Sequence, residues 1–295
     1  MTEWKGVFTA LVTPFNEDGS LDENGLKELI GRQLDAGIHG LVPCGTTGET
    51  PALTEEEWEA VIDITVNEAK GRTTIIAGTG TNNTAISIRK TKRAQELGAD
   101  GALVITPYYN KPTPDGIFAH FKAVTEAVPE MPVMVYNVPG RTGLNLSPAT
   151  LKRLLELPGI AAVKEASGNL AQVWEMVHLI KDRAVLFSGE DGLNLPVWDL
   201  GGRGAVSVLS NVVPELVAKE WQAKEAGNNE EAYALHKKLA PLASALFIET
   251  SPAPAKFALA AMGFHAGEVR LPLAPLRDES KAVVLKELKT LNIVN

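Results

Sequence analysis

Gly159-Ile160-Ala161-Ala162-Val163-Lys164 is a glycine, four apolar residues and a lysine. A run of four to eight residues that is apolar nearly throughout suits a strand of a parallel sheet, because both faces of such a sheet are covered. Similar runs recur along the first two thirds of the chain. They are Val7–Thr13, Ile38–Cys44, Thr74–Gly78, Ala102–Thr106, Val133–Asn137, Ile160–Lys164, Val185–Ser188 and Ala205–Val208, eight in all. Longer segments with helical spacing separate them. Leu26, Leu29, Ile30 and Leu34 make one apolar stripe, Trp58, Val61, Ile62 and Thr65 another, and Phe118, Phe121 and Val124 a third.

Punctuation residues support this alternation. Ser20 with Glu23 and Thr54 with Glu57 have capping-box spacing, and Ser147 precedes a proline at the first helical position, Pro148. Gly37, Gly71, Gly98, Gly159 and Gly201 each fall between a helical segment and the next apolar run, where a left-handed C-cap is common. Eight strand–helix units close naturally into a (β/α)8 TIM barrel. The alternative, an open doubly wound sheet, usually carries a glycine-rich phosphate loop after its first strand, and Thr13-Pro14-Phe15-Asn16 stands there instead. Beyond Gly227 the strand pattern stops, and helical stretches near Glu230–Phe247, Pro252–Met262 and Glu279–Leu291 remain. The expected division is a catalytic barrel over 1–226 and a C-terminal helical domain over 227–295.

The 295 residues are 45% hydrophobic and 22% charged, enough to build a large core and outside the disordered, collagenous and disulfide-scaffold classes. A net charge of −8 has the wrong sign for collecting nucleic acid or anionic lipid, which makes a small molecule the expected partner. The single cysteine, Cys44, allows no internal disulfide and reads as a small core residue of the second strand. No run approaches the length of a membrane span, and Met1 to Lys5 does not resemble the start of a signal peptide, so a cytoplasmic location is expected.

In a barrel of this kind the reactive groups sit at the C-terminal ends of the strands. Gly45-Thr46-Thr47-Gly48-Glu49 follows the second strand and offers two hydroxyls between glycines, suited to a small carboxylate. Lys164 ends the sixth strand. Desolvation lowers an ammonium pKa and leaves a free amine able to attack a carbonyl, which is Schiff-base chemistry. The ordinary alternative is a lysine that reaches solvent or pairs with Glu190. Strand alternation sends Glu165 to the opposite side, so that carboxylate need not neutralise the amine.

Tyr136, at the end of the neighbouring fifth strand, can relay protons or be a core tyrosine. Arg141, in a loop rich in proline and glycine, can grip a carboxylate or lie in solvent. His39, His120, His178, His236 and His265 have no metal-ligand spacing, no Gly-x-Ser-x-Gly elbow or Walker loop is present, and Gly78-Thr79-Gly80 lacks the third glycine of a dinucleotide loop. None of these patterns points to a metal or an organic cofactor.

The strings Gly45-Thr46-Thr47-Gly48-Glu49, Thr106-Pro107-Tyr108-Tyr109-Asn110, Tyr136-Asn137-Val138-Pro139-Gly140-Arg141-Thr142-Gly143 and Val163-Lys164-Glu165-Ala166 resemble those of the dihydrodipicolinate synthase family. The resemblance covers essentially the whole chain. Relatives in the same superfamily, N-acetylneuraminate lyase and several keto-acid aldolases, usually differ around the arginine, so Arg141-Thr142-Gly143 argues for the synthases.

The resemblance implies a lyase of lysine and diaminopimelate biosynthesis that condenses pyruvate with L-aspartate-4-semialdehyde. Lys164 forms the imine, Thr47 binds the pyruvate carboxylate, and Tyr136, Thr46 and Tyr109 make a proton relay, Tyr109 reaching a neighbouring subunit. Arg141 holds the carboxylate of the second substrate, and Gly189 and Val206 line the pyruvate pocket through their backbones. A homotetramer built as a dimer of dimers is also implied, and no metal or organic cofactor is. Feedback-inhibited members bind lysine at the subunit interface; here Thr50, Asn82 and Tyr108 match that site, but the histidine positions read Glu55 and Trp58 and the glutamate position reads Ile86. Weak or absent inhibition by L-lysine is the expectation. The remaining alternatives are another pyruvate-dependent aldolase and a barrel that only binds a ligand.

Overall fold

The computed structural model describes residues 4–295, so the reading of Met1 to Glu3 falls outside the described residues. Strands and helices alternate as β1 (Gly6–Ala10), α1 (Glu23–Asp35), β2 (Gly40–Val42), α2 (Glu55–Ala69), β3 (Thr74–Gly78), α3 (Thr84–Glu96), β4 (Gly101–Ile105) and α4 (Pro114–Ala127). They continue as β5 (Val133–Asn137), α5 (Pro139–Thr142), α6 (Pro148–Leu154), β6 (Ile160–Glu165), α7 (Leu170–Ile180), β7 (Val185–Ser188), α8 (Asn194–Asp199) and β8 (Gly204–Ser207). The chain then runs through α9 (Pro214–Glu225), α10 (Asn229–Ala245), α11 (Ala253–Ala261) and α12 (Asp278–Thr290). The strands pair in sequence order as a closed parallel barrel, and nearly all their residues are buried.

Two compact units account for the contacts. One comprises Ile76–Val206 with the short stretch ending at Gly6, and the other Val7–Ile75 with Ser207–Asn295. Among the described residues no helix is long and apolar enough to cross a membrane.

Several local expectations hold. Thr54 and Glu57 form the capping box of α2, and Ser147 caps α6 with Pro148 in its first turn. Gly37, Gly71, Gly98 and Gly201 take positive φ. Others are corrected. The cap of α1 is Asp22, which has extended backbone immediately before the helix and accepts from the Gly25 N–H, and not Ser20, two residues further out. Gly159 is not left-handed; its role is close packing, since a Cβ there would lie 2.9 Å from Thr125. In α4 the buried stripe is Ile117, Phe121 and Val124, while Phe118 lies half-exposed under the Arg153 guanidinium.

In α1, Gln33 is buried where Leu34 is not. It accepts from the Thr9 hydroxyl at 2.7 Å and donates to the Ser210 carbonyl at 2.9 Å, so hydrogen bonding rather than hydrophobicity fixes that face. The first two strands are shorter than their apolar runs. β2 stops at Val42, and Cys44 stands in the following turn with φ 56°, buried, its thiol directed at the Trp58 carbonyl at 3.6 Å.

Candidate active site

The parallel register of β5 and β6 sets Tyr136 beside Lys164 and Asn137 beside Glu165. With side chains alternating across a strand, the first pair shares one face and the second pair the other. Contacts on each face bear this out. The Lys164 ammonium lies 4.3 Å from the centroid of the Tyr136 ring, and both residues are buried. Behind the strand, the Glu165 carboxylate accepts from Asn137 Nδ2 at 2.9 Å, Gln172 Nε2 at 3.2 Å and the Ser167 N–H at 2.7 Å. Asn137 is itself fixed by Asn145 at 3.0 Å and by the Leu146 N–H at 2.9 Å. Glu165 is thus satisfied by neutral donors and does not pair with the lysine next to it.

Lys164 is only 5% exposed, and its pKa is pushed down to about 8. Burial is the main cause; the Asp191 carboxylate opposes it by favouring the ammonium, and the Arg141 guanidinium adds to it. The carboxylate that speaks to Lys164 is therefore Asp191, where the sequence suggested Glu190. Burial, with the Asp191 charge beside it, raises the pKa of Glu190 instead. Asp191 sits in a short turn after β7 and accepts from Asn194 Nδ2 at 3.2 Å. Gly189 packs directly on the lysine stem: a Cβ there would lie 2.7 Å from Ala166 Cβ, 3.0 Å from Lys164 Cε and 3.1 Å from Lys164 Cγ.

Arg141 stands exposed on the single turn α5, close enough in charge to act on Lys164. Tyr109 follows β4 in a left-handed conformation, φ 69°, with its ring 87% exposed. Val206 is buried in β8. The structure thus brings Lys164, Tyr136 and Gly189 into contact and adds Arg141 electrostatically, whereas the Tyr109 ring faces solvent.

Thr46 and Thr47 belong to the other compact unit, in the turn after β2. Gly48 donates to the Gly45 carbonyl and Glu49 to the Thr46 carbonyl, each at 3.1 Å. Gly48 is needed for close approach, because a Cβ would meet Cys44 N at 3.1 Å and Leu11 O at 3.2 Å. The Thr13 hydroxyl ties the turn down through the Gly48 carbonyl at 2.8 Å. The turn places Thr46 and Thr47 just beyond the C-terminal end of β2.

A barrel with a buried lysine of depressed pKa at the end of its sixth strand narrows the chemistry, and comparison with known proteins narrows the family. A model of the dihydrodipicolinate synthetase family matches residues 3–291. The chain belongs to that family. It is 48% identical to the 4-hydroxy-tetrahydrodipicolinate synthase of Maridesulfovibrio salexigens over 99% of both chains. The crystal structure of dihydrodipicolinate synthase from Aquifex aeolicus superposes with a TM-score of 0.95 at 41% identity, covering 98% of this chain and 99% of that one. The chloride-inhibited dihydrodipicolinate synthase from Acinetobacter baumannii, complexed with pyruvate, gives 0.96 at 39% identity and covers the same shares.

Two features of this dihydrodipicolinate synthetase family member escaped the sequence reading. Asp191 had no role in that reading, because its effect on Lys164 depends on where the turn after β7 lies in the fold. Lys256 is 2% exposed and pairs with Glu49 at 2.7 Å. Its signal was available: it is the one charged residue between Thr250 and Phe264.

Proposed function

We propose that this protein is a 4-hydroxy-tetrahydrodipicolinate synthase, condensing pyruvate with L-aspartate-4-semialdehyde through a Schiff base on Lys164. The observation that carries the reading is the buried amine of Lys164 beside Tyr136, with its pKa pushed down to about 8. The free amine attacks C2 of pyruvate and water leaves, giving an imine. Loss of a C3 proton gives an enamine, which attacks the aldehyde carbon of the second substrate. The amine of that substrate then adds to C2 and expels Lys164 as the ring closes.

In this reading Thr47 holds the pyruvate carboxylate, Tyr136, Thr46 and Tyr109 pass protons, Arg141 grips the aldehyde's carboxylate, and Gly189 and Val206 line the pyruvate pocket. No cofactor takes part. The exposed ring of Tyr109 suits a residue completed by a second subunit. The proposal extends, on the family resemblance, to a homotetramer built as a dimer of dimers acting in the cytoplasm. We also keep 1–226 as the catalytic barrel and 227–295 as its helical C-terminal domain. The test is borohydride reduction with pyruvate, followed by peptide mass spectrometry: an adduct on Lys164 is expected, and an adduct on a different lysine, or none, refutes the assignment. Turnover of pyruvate with aspartate semialdehyde, and not with sialic acid or sugar keto-acids, separates the synthase from its aldolase relatives. Sedimentation velocity checks the tetramer.

A further inference from the structure

Glu49 ends the Thr46–Thr47 turn in a left-handed conformation, φ 53°, unusual for a residue with a side chain. Its N–H donates to the Thr46 carbonyl and its own carbonyl accepts from Ala52, so its backbone fixes both sides of the turn. Its carboxylate is buried, 3% exposed, and both oxygens are held from the C-terminal part of the chain. Lys256 Nζ, on α11, lies 2.7 Å from one oxygen, and the Arg270 N–H donates to the other at 2.9 Å.

These two partners are themselves anchored. Lys256 donates to the Glu268 carbonyl at 3.0 Å, and its ammonium stands 4.1 Å from the centroid of the Phe15 ring. The Arg270 guanidinium, 4.0 Å from the same ring, makes a bidentate pair with Glu57 at 2.5 and 2.6 Å and donates to the Gly19 and Ala52 carbonyls. A buried lysine–glutamate pair is a costly way to gain stability, and removing one member strands the other charge. Its product here is geometric: a carboxylate pinned at both oxygens holds a strained backbone next to the two threonines.

We propose that Lys256 and Arg270 are positioning residues for the pyruvate-binding threonines, acting on the turn through Glu49. The helical C-terminal segment thereby sets the affinity for pyruvate without touching the substrate. The inference rests on the role given to Thr46 and Thr47 above.

The experiment compares Lys256→Met, Glu49→Gln, the double variant and Arg270→Lys with the wild type, reading pyruvate KM, semialdehyde KM, borohydride-trapped pyruvate and thermal midpoint. Lys256→Met should raise pyruvate KM about tenfold or more, as expected for loss of a charged partner in a desolvated pair, and leave semialdehyde KM within about twofold. In the Glu49→Gln background the same substitution should add little, because the connection is already cut. A lower thermal midpoint with pyruvate KM unchanged, or equal rises in both KM values, overturns the proposal. If Lys256→Met does not fold, Glu49→Gln carries the same selective rise or refutes the proposal, while Arg270→Lys, which keeps the N–H on Glu49 but loses the bidentate grip on Glu57, should give a smaller rise of the same kind. Failure of wild-type protein to trap pyruvate on Lys164 would instead refute the underlying assignment of function.

Discussion

Replacing Lys164 by methionine should abolish the pyruvate adduct and make the protein more stable at neutral pH. Methionine keeps the length of the stem and removes the charge. The folded pKa of about 8 lies below the ordinary lysine value of 10.5, so between those values the unfolded chain binds more protons and stability rises with pH. Below pH 8 the lysine is protonated in both states, and the folded protein carries the full penalty of burying the ammonium. A gap of roughly 2.5 pH units corresponds to about 3 kcal/mol at pH 7, falling below about 1 kcal/mol at pH 10. For a chain of this size that is roughly 5–10 °C in thermal midpoint.

Urea unfolding of the wild type and the variant at pH 7 and pH 10 measures both numbers. A variant no more stable than wild type at pH 7, or an advantage that does not shrink by pH 10, would refute the assigned burial of the charge. The same pKa predicts that imine formation accelerates about tenfold per pH unit below 8 and levels off above it, since only the neutral amine attacks.

Arg141→Ala should lower kcat/KM for aspartate semialdehyde by about tenfold to a hundredfold, the cost of a charged hydrogen bond, while the pyruvate adduct still forms. Because the guanidinium depresses the Lys164 pKa, the midpoint of the imine pH profile should also move upward in this variant; equal loss with both substrates would make Arg141 structural. Gly189→Ala drives a methyl against Lys164 Cε and Ala166, and a misplaced amine should trap pyruvate about 10–100-fold more slowly at unchanged circular dichroism. Inhibition by L-lysine should be weak, because Ile86 offers no charge for the ligand's amine and loss of such a partner costs about 2–5 kcal/mol; strong inhibition below millimolar lysine would point to Glu55 as a substitute.

Eight apolar runs alternating with helical segments, together with Thr13-Pro14-Phe15-Asn16 in place of a glycine-rich phosphate loop, were enough to prefer the barrel over an open doubly wound sheet, and alternation alone separated Lys164 from Glu165. Motif strings named the residues of the proposed relay by resemblance. Tertiary structure decided what depends on distance between elements remote in sequence. Asp191, rather than Glu190, is the carboxylate whose charge acts on Lys164, an outcome of where the turn after β7 lies. Gln33 takes an inward position beside an outward Leu34 because Thr9 and Ser210 supply its partners. Lys256 lies buried more than two hundred residues from Glu49 because a desolvated charge needs an opposite one within contact, and only the fold determines which carboxylate that is. Local pattern records which face of an element is covered; it does not record what covers it.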